Sequence, residues 1–233
     1  MLPSPLSVYS WPKSADDIPV NQRLIVIAVR TLPTILRSQA RKLIRMAITQ
    51  VLADKLSCSY TEIKLISQSG QSVKVSQPRQ NIGLSISYEP SLSLAAINMD
   101  GKVGVDLIDV KSIPNDNEIY KLALEYLGTQ VAEYLSLLPS ELQKHAFAKA
   151  WTEFEARLKF QEKSLDEWNG SSALQMNTLT IRPLALPESY IGTVVFSGSI
   201  DSDVPTTSLV NYKQAEKMTI SKILCRSSNI ESK

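Results

Sequence analysis

What the chain lacks narrows its chemistry first. Its two cysteines, Cys58 and Cys225, lie far apart without a Cys-x-x-Cys spacing, which argues against a structural zinc site and makes a reducing setting the simplest one. The single histidine, His145, has no acid–nucleophile pairing signature around it and reads as a satisfied or solvent-facing helix residue. Gly-x-Ser-x-Gly, Walker and dinucleotide glycine patterns are missing, so the common hydrolase and phosphate-loop motifs find no support. A net charge of +2, with basic residues scattered apart from Arg37, Arg41, Lys42 and Arg45, gives no case for a nucleic-acid surface. The longest apolar run, Leu24 to Val29, is far too short to span a bilayer. Residues Met1 to Pro5 lack the basic and apolar regions of a secretory signal. The expectation is a soluble cytoplasmic protein.

What is present suits a globular chain. At 233 residues, 43% hydrophobic and 21% charged, it can bury a real core as one large domain or two lobes. Pro3, Pro5, Pro12 and Pro19 predict an irregular lead-in. Leu24 to Val29, rich in branched residues, predicts a buried strand. A helix follows over about Thr34 to Lys55, with Ile35, Leu36, Leu43, Met46, Ala47 and Val51 at helical spacing and the arginines on another face. Strands are expected at Glu62 to Ile66, Ser72 to Val75, Gly83 to Tyr88 and Leu92 to Asn98. An Asp100-Gly101 turn then leads into a strand at Val103 to Val110. Helices are expected over about Asn115 to Leu127 and Pro139 to Glu162. Strands return at Leu174 to Ile181, Tyr190 to Phe196 and Met218 to Leu224, before a loose polar tail.

The order strand, helix, strands thus occurs twice. It predicts an α+β fold of two similar lobes related by a pseudo-twofold, with a ligand cleft between them. The expected boundaries are 1–100 for the N-terminal lobe, 101–225 for the C-terminal lobe and 226–233 for the tail.

Two segments carry chemistry. Phe147, Trp151, Phe154 and Leu158 step by four, three and four, placing them on one buried helical stripe. Thr152, Glu155 and Lys159 form a second stripe beside it. Glu155 and Lys159 are an i,i+4 pair in the favourable order, which a plain surface ion pair would also explain. Upstream, Gly104-Val105-Asp106-Leu107-Ile108-Asp109 sets an acid in an apolar strand, a costly placement without a partner or cation. A strand-end aspartate accepting backbone hydrogen bonds explains it equally. Asp109, three residues on, points to the opposite face of a regular strand and makes a poor second ligand.

Together, Gly104-Val105-Asp106 and Trp151-Thr152-Glu153-Phe154-Glu155-Ala156-Arg157-Leu158-Lys159 resemble the marks of the 4′-phosphopantetheinyl transferase superfamily, in its two-lobed, surfactin-synthetase-activating type. That family carries Gly-x-Asp-x-Glu and, some forty to fifty residues on, Trp-(Ser/Thr)-x-Lys-Glu-(Ala/Ser)-x-x-Lys; here Glu155 follows Asp106 by 49 residues. Ile86-Ser87-Tyr88-Glu89 is similar to part of the family's Asn-Ile-Ser-His-Ser segment, and Arg41 falls where the family has an arginine early in its long N-lobe helix.

The resemblance implies an enzyme that moves phosphopantetheine from coenzyme A onto a serine of an acyl or peptidyl carrier protein, using Mg²⁺, as a monomer. It implies Asp106 and Glu155 as metal ligands, Glu155 as the group that takes the serine proton, and Lys159 on a phosphate oxygen. Arg41 would meet the 3′-phosphate, with Ser87 and Tyr88 near the phosphates. The chain departs from the pattern at Ile108, Phe154, Tyr88 and Glu89, where the family has glutamate, lysine, histidine and serine. Those departures keep open a weakened or non-catalytic relative that binds coenzyme A or a carrier protein. An unrelated two-lobed nucleotide-binding protein is a third reading.

Overall fold

Leu24 to Arg30 shows how the core is organised: six consecutive residues are buried and only the terminal arginine is exposed. A strand buried on both faces must lie inside a sheet, and this one does. In the computed structural model, which describes residues 4–13, 17–67, 72–78, 81–163, 165 and 179–198, the elements follow in chain order. They are β1 (Tyr9–Trp11), β2 (Leu24–Arg30), α1 (Arg37–Leu56), β3 (Lys64–Ile66), β4 (Lys74–Gln77), β5 (Gly83–Glu89), β6 (Leu92–Asn98), β7 (Val103–Asp109), α2 (Asp116–Leu122), α3 (Thr129–Ser136), α4 (Ser140–Gln161), β8 (Leu179–Pro183) and β9 (Tyr190–Ser197). The fold is α+β. Among the described residues no helix is long and apolar enough to cross a membrane.

The strands form a four-stranded sheet ordered β1-β2-β6-β5, a β3-β4 ribbon and a three-stranded sheet ordered β7-β9-β8. Ile44, Ala47, Ile48, Val51 and Leu52 of α1 pack against Ile25, Ile27, Val29, Ala95 and Ile97 of the first sheet. α4 covers β7 and β9 of the other sheet. There Gly104 admits a close approach, because a Cβ at this position would stand 1.9 Å from the Ala156 carbonyl oxygen and 2.6 Å from the Phe160 nitrogen. The glycine lets the backbone of α4 sit directly on β7. That contact sets the distance between whatever the two elements carry.

The two sheets meet where edge strand β5 lies beside edge strand β7. Edge strands present unpaired N–H groups, and buried ones need partners. Side chains of β5 supply them: Ser85 Oγ accepts the Val105 N–H at 2.9 Å, and Ser87 Oγ accepts the Leu107 N–H at 3.3 Å. The Asp109 backbone N–H hydrogen-bonds the Glu89 carboxyl. Alternate residues of one strand thus serve alternate residues of the other, each twenty positions later in sequence.

Several elements differ from the sequence expectation. The lead-in is not irregular throughout, since Tyr9–Trp11 pairs in parallel with Ile27, Ala28 and Val29. Leu6 also bridges Leu184 at the far sheet, where its N–H meets the Pro183 carbonyl at 2.8 Å. α1 begins at Arg37 rather than near Thr34, because the Ile35 N–H closes a turn onto the Leu32 carbonyl. Glu62 is not in a strand but in a capping box with Ser59, accepting its backbone N–H at 2.6 Å. The helix expected to end near Leu127 runs as α2 and then a π turn over Ala123–Leu127. Gly128, at φ +91°, ends that turn, and α3 follows, an element the sequence did not announce. The strand expected at 218–224 and the tail at 226–233 lie outside the described residues, as does the start of the one expected at 174–181.

Candidate active site

Asp106 stands near the middle of β7, paired in register with Thr193 of β9, and is 7% exposed. A carboxylate so placed must be hydrogen-bonded and charge-balanced. Its Oδ1 receives Ser87 Oγ at 2.8 Å from β5 and Lys159 Nζ at 2.7 Å from α4. Lys159 also donates to the Val105 carbonyl at 3.2 Å. The i,i+4 pair expected between Glu155 and Lys159 therefore gives way to a bridge from helix to strand. Along α4 the i,i+4 ion pair is instead Glu153 with Arg157.

Glu155 lies half-buried one helical turn before Lys159, in the same cleft. Burial pushes its carboxyl up from the ordinary range, the Asp106 charge adds to this, and Lys159 opposes it. The cleft, of about 440 Å³, is also lined by Arg37, Ser87, Tyr88, Glu89, Ile108 and Trp151. Trp151 is held by stacking on Phe147, with ring centroids 5.5 Å apart, and by an edge contact with Tyr126 at 5.7 Å. Thr152, the neighbouring helix residue, is fully buried and shares a 3.0 Å hydrogen bond with Thr193, pinning α4 to β9.

Of the residues singled out in sequence, Asp106, Glu155, Lys159, Ser87 and Tyr88 line this one cleft. Arg41 does not. It lines a neighbouring basic concavity of about 420 Å³ with Lys42, Arg45, Tyr60 and Leu65. Sequence reasoning passed over Arg37, whose guanidinium lies 5.8 Å from the centre of the Tyr88 ring. The signal was available, because Arg37, Arg41 and Arg45 step by four along one face of α1. Burial raises the Tyr88 hydroxyl, and those three arginines, Arg45 foremost, pull it back.

The departures from the motif have structural places. Ile108 packs against the apolar cluster that contains Ile113, Ile119 and Phe147. Phe154 lies tilted against Trp151 at 6.3 Å. Glu89, at the end of β5, has a carboxyl raised to about 6. Burial is the main cause, opposed by the Asp109 N–H and reinforced by the charges of Asp109 and Asp106. Asp109 itself caps a turn, accepting the Lys111 N–H at 3.0 Å. His145 is solvent-exposed on α4.

Among the described residues no group of three His, Cys, Asp or Glu side chains is arranged to hold a metal ion. Asp106 and Glu155 are nevertheless two carboxylates in mutual repulsion within one cleft. That donor set fits a hard cation completed by ligand oxygens and water, not an all-protein cage. No family model matches the chain, and no curated protein matches it in sequence.

Proposed function

We propose that the chain transfers the 4′-phosphopantetheine moiety of coenzyme A to a serine of an acyl or peptidyl carrier protein, as a cytoplasmic monomer of two pseudo-symmetric lobes. The observation that carries this reading is the meeting of Asp106 with Lys159, and of both with Glu155, in a cleft that β5, β7 and α4 line together. Two motif fragments that resemble one enzyme family thus supply a single constellation.

The acceptor hydroxyl oxygen attacks the phosphorus bearing pantetheine. A new P–O bond forms, the bridging P–O bond breaks, and adenosine 3′,5′-bisphosphate leaves with the electron pair. The hydroxyl proton goes to Glu155, or to a water that Glu155 orients, and the raised affinity of this carboxyl for protons suits that task. Lys159 supplies a point charge for a phosphate oxygen, and Arg37 a planar one at the cleft rim. A bound Mg²⁺, held by Asp106 and Glu155, would supply charge neutralisation for the pyrophosphate and the departing phosphate. Arg41 and its neighbours extend the basic character along α1, where the 3′-phosphate end of the same substrate finds cations.

A second reading keeps the binding and drops the transfer. It draws on Ile108, which belongs to an apolar cluster where the resembling family carries its second acid. The wild type separates the two, because coenzyme A binding without modification of any carrier favours the second; in Glu155→Gln the unfolding midpoint should be retained while transfer is abolished. Unchanged transfer in that variant would overturn the role given to Glu155.

A further inference from the structure

We propose that Lys159 and a divalent cation are alternative partners of Asp106, so that cation entry releases the Lys159 ammonium into the cleft to meet the substrate's phosphate. This rests on the transferase reading and adds to it a coupling residue.

Asp106 is nine-tenths buried, where a carboxylate is costly without a counter-charge beside it. Lys159 provides that charge at 2.7 Å, on the same oxygen that Ser87 contacts at 2.8 Å. A carboxylate oxygen has two lone-pair sites, and Oδ1 has filled both. A cation on this oxygen therefore displaces a donor, and one on the other oxygen of the same carboxylate repels the Lys159 ammonium as a like charge. Ser87 is the less mobile one, since its hydroxyl also accepts the Leu107 N–H at 3.3 Å and sits on a buried strand. Lys159, whose other contact is the Val105 carbonyl at 3.2 Å, is the mobile one, a flexible four-carbon stem at the partly exposed end of the pair, its side chain 30% exposed against 9% for Asp106.

Charge gives the exchange a consequence. When all are ionised, Asp106, Glu155 and Glu89 against Lys159 and Arg37 leave the cleft one net negative charge, which repels a phosphate. A dication reverses that sign and, by breaking the ion pair, turns the ammonium towards the ligand in the same step. Substrate capture then follows cation entry, and Lys159 ties the two events together.

Two measurements test this. Reductive methylation read by peptide mass spectrometry should modify Lys159 slowly in the protein alone and several-fold faster with Mg²⁺; coenzyme A added with Mg²⁺ should protect it again. Calorimetric titration with Mn²⁺ alone should show Lys159→Met binding about tenfold tighter than the wild type. Lys159→Gln, which keeps a neutral donor to Asp106, should fall between them and guards against a fold defect in the methionine variant. Labelling indifferent to Mg²⁺, or a methionine variant that binds Mn²⁺ no tighter, overturns the exchange. The two claims fail separately. Mg²⁺-dependent transfer with Mg²⁺-indifferent labelling overturns the exchange alone. Labelling that responds to Mg²⁺ in a protein that modifies no carrier supports the exchange and overturns the transferase reading.

Discussion

The hydroxyl of Ser87 donates to Asp106 Oδ1 at 2.8 Å while accepting the N–H of Leu107, the next residue on β7, at 3.3 Å. One side chain thus fixes both the strand and the carboxylate it presents. On the proposed reading Ser87 acts by positioning Asp106, since its single proton is committed to that carboxylate. Ser87→Ala should leave two buried groups short of a partner and cost about 1–3 kcal/mol of stability. It should lower kcat while leaving the KM for coenzyme A near its wild-type value, as steady-state kinetics beside denaturant unfolding would read. A rise in KM alone would return Ser87 to the substrate.

Glu89 predicts a pH dependence of stability. Its carboxyl is raised in the folded protein to about 6 from its ordinary value of 4.5, so the folded state binds the proton more tightly than the unfolded chain does. The contribution is fully present below about pH 4.5 and is lost as the pH rises through about 6. Glu89→Gln should remove that loss and, above pH 6, gain about 1 kcal/mol over the wild type after allowance for solvent screening. Chemical denaturation at pH 4.5 and pH 8 would read it; a difference that does not grow with pH contradicts the assignment.

Ile108 predicts two effects of opposite sign. Ile108→Glu places an acid where the side chain now packs on the cluster of Ile113, Ile119 and Phe147, and should cost about 1–3 kcal/mol of stability. The same change adds a further carboxylate beside Asp106 and Glu155, in a cleft that Glu89 also lines. Transfer at low Mg²⁺ should therefore rise, together with cation affinity. A destabilised protein with no gain in either would favour the binding-only reading.

Much of the fold was legible because local patterns state which face is buried. β2 announced itself as an apolar run, and α4 through the spacing of Phe147 and Leu158, both buried, with Trp151 and Phe154 half-buried between them. What such patterns leave out is the tertiary neighbour. Lys159 reads as the partner of Glu155 because the two are one turn apart, yet a buried carboxylate on a strand is a stronger attractor than a half-buried one on the same helix. Arg41 stands out through the family resemblance alone, and helical spacing groups Arg37 with it without saying which end of α1 reaches the cleft. Tyr9–Trp11 has too few residues to show a period and gains its pairing only from the exposed edge of β2. Glu62 belongs to a cap rather than a strand because Ser59, three residues earlier, competes for it.

The most direct test incubates a panel of apo carrier proteins with this protein, coenzyme A and Mg²⁺, and weighs each carrier by intact mass spectrometry. The account predicts a gain of one phosphopantetheine on at least one carrier, lost when a chelator is added. No mass gain on any carrier, in a protein that binds coenzyme A tightly, would contradict it.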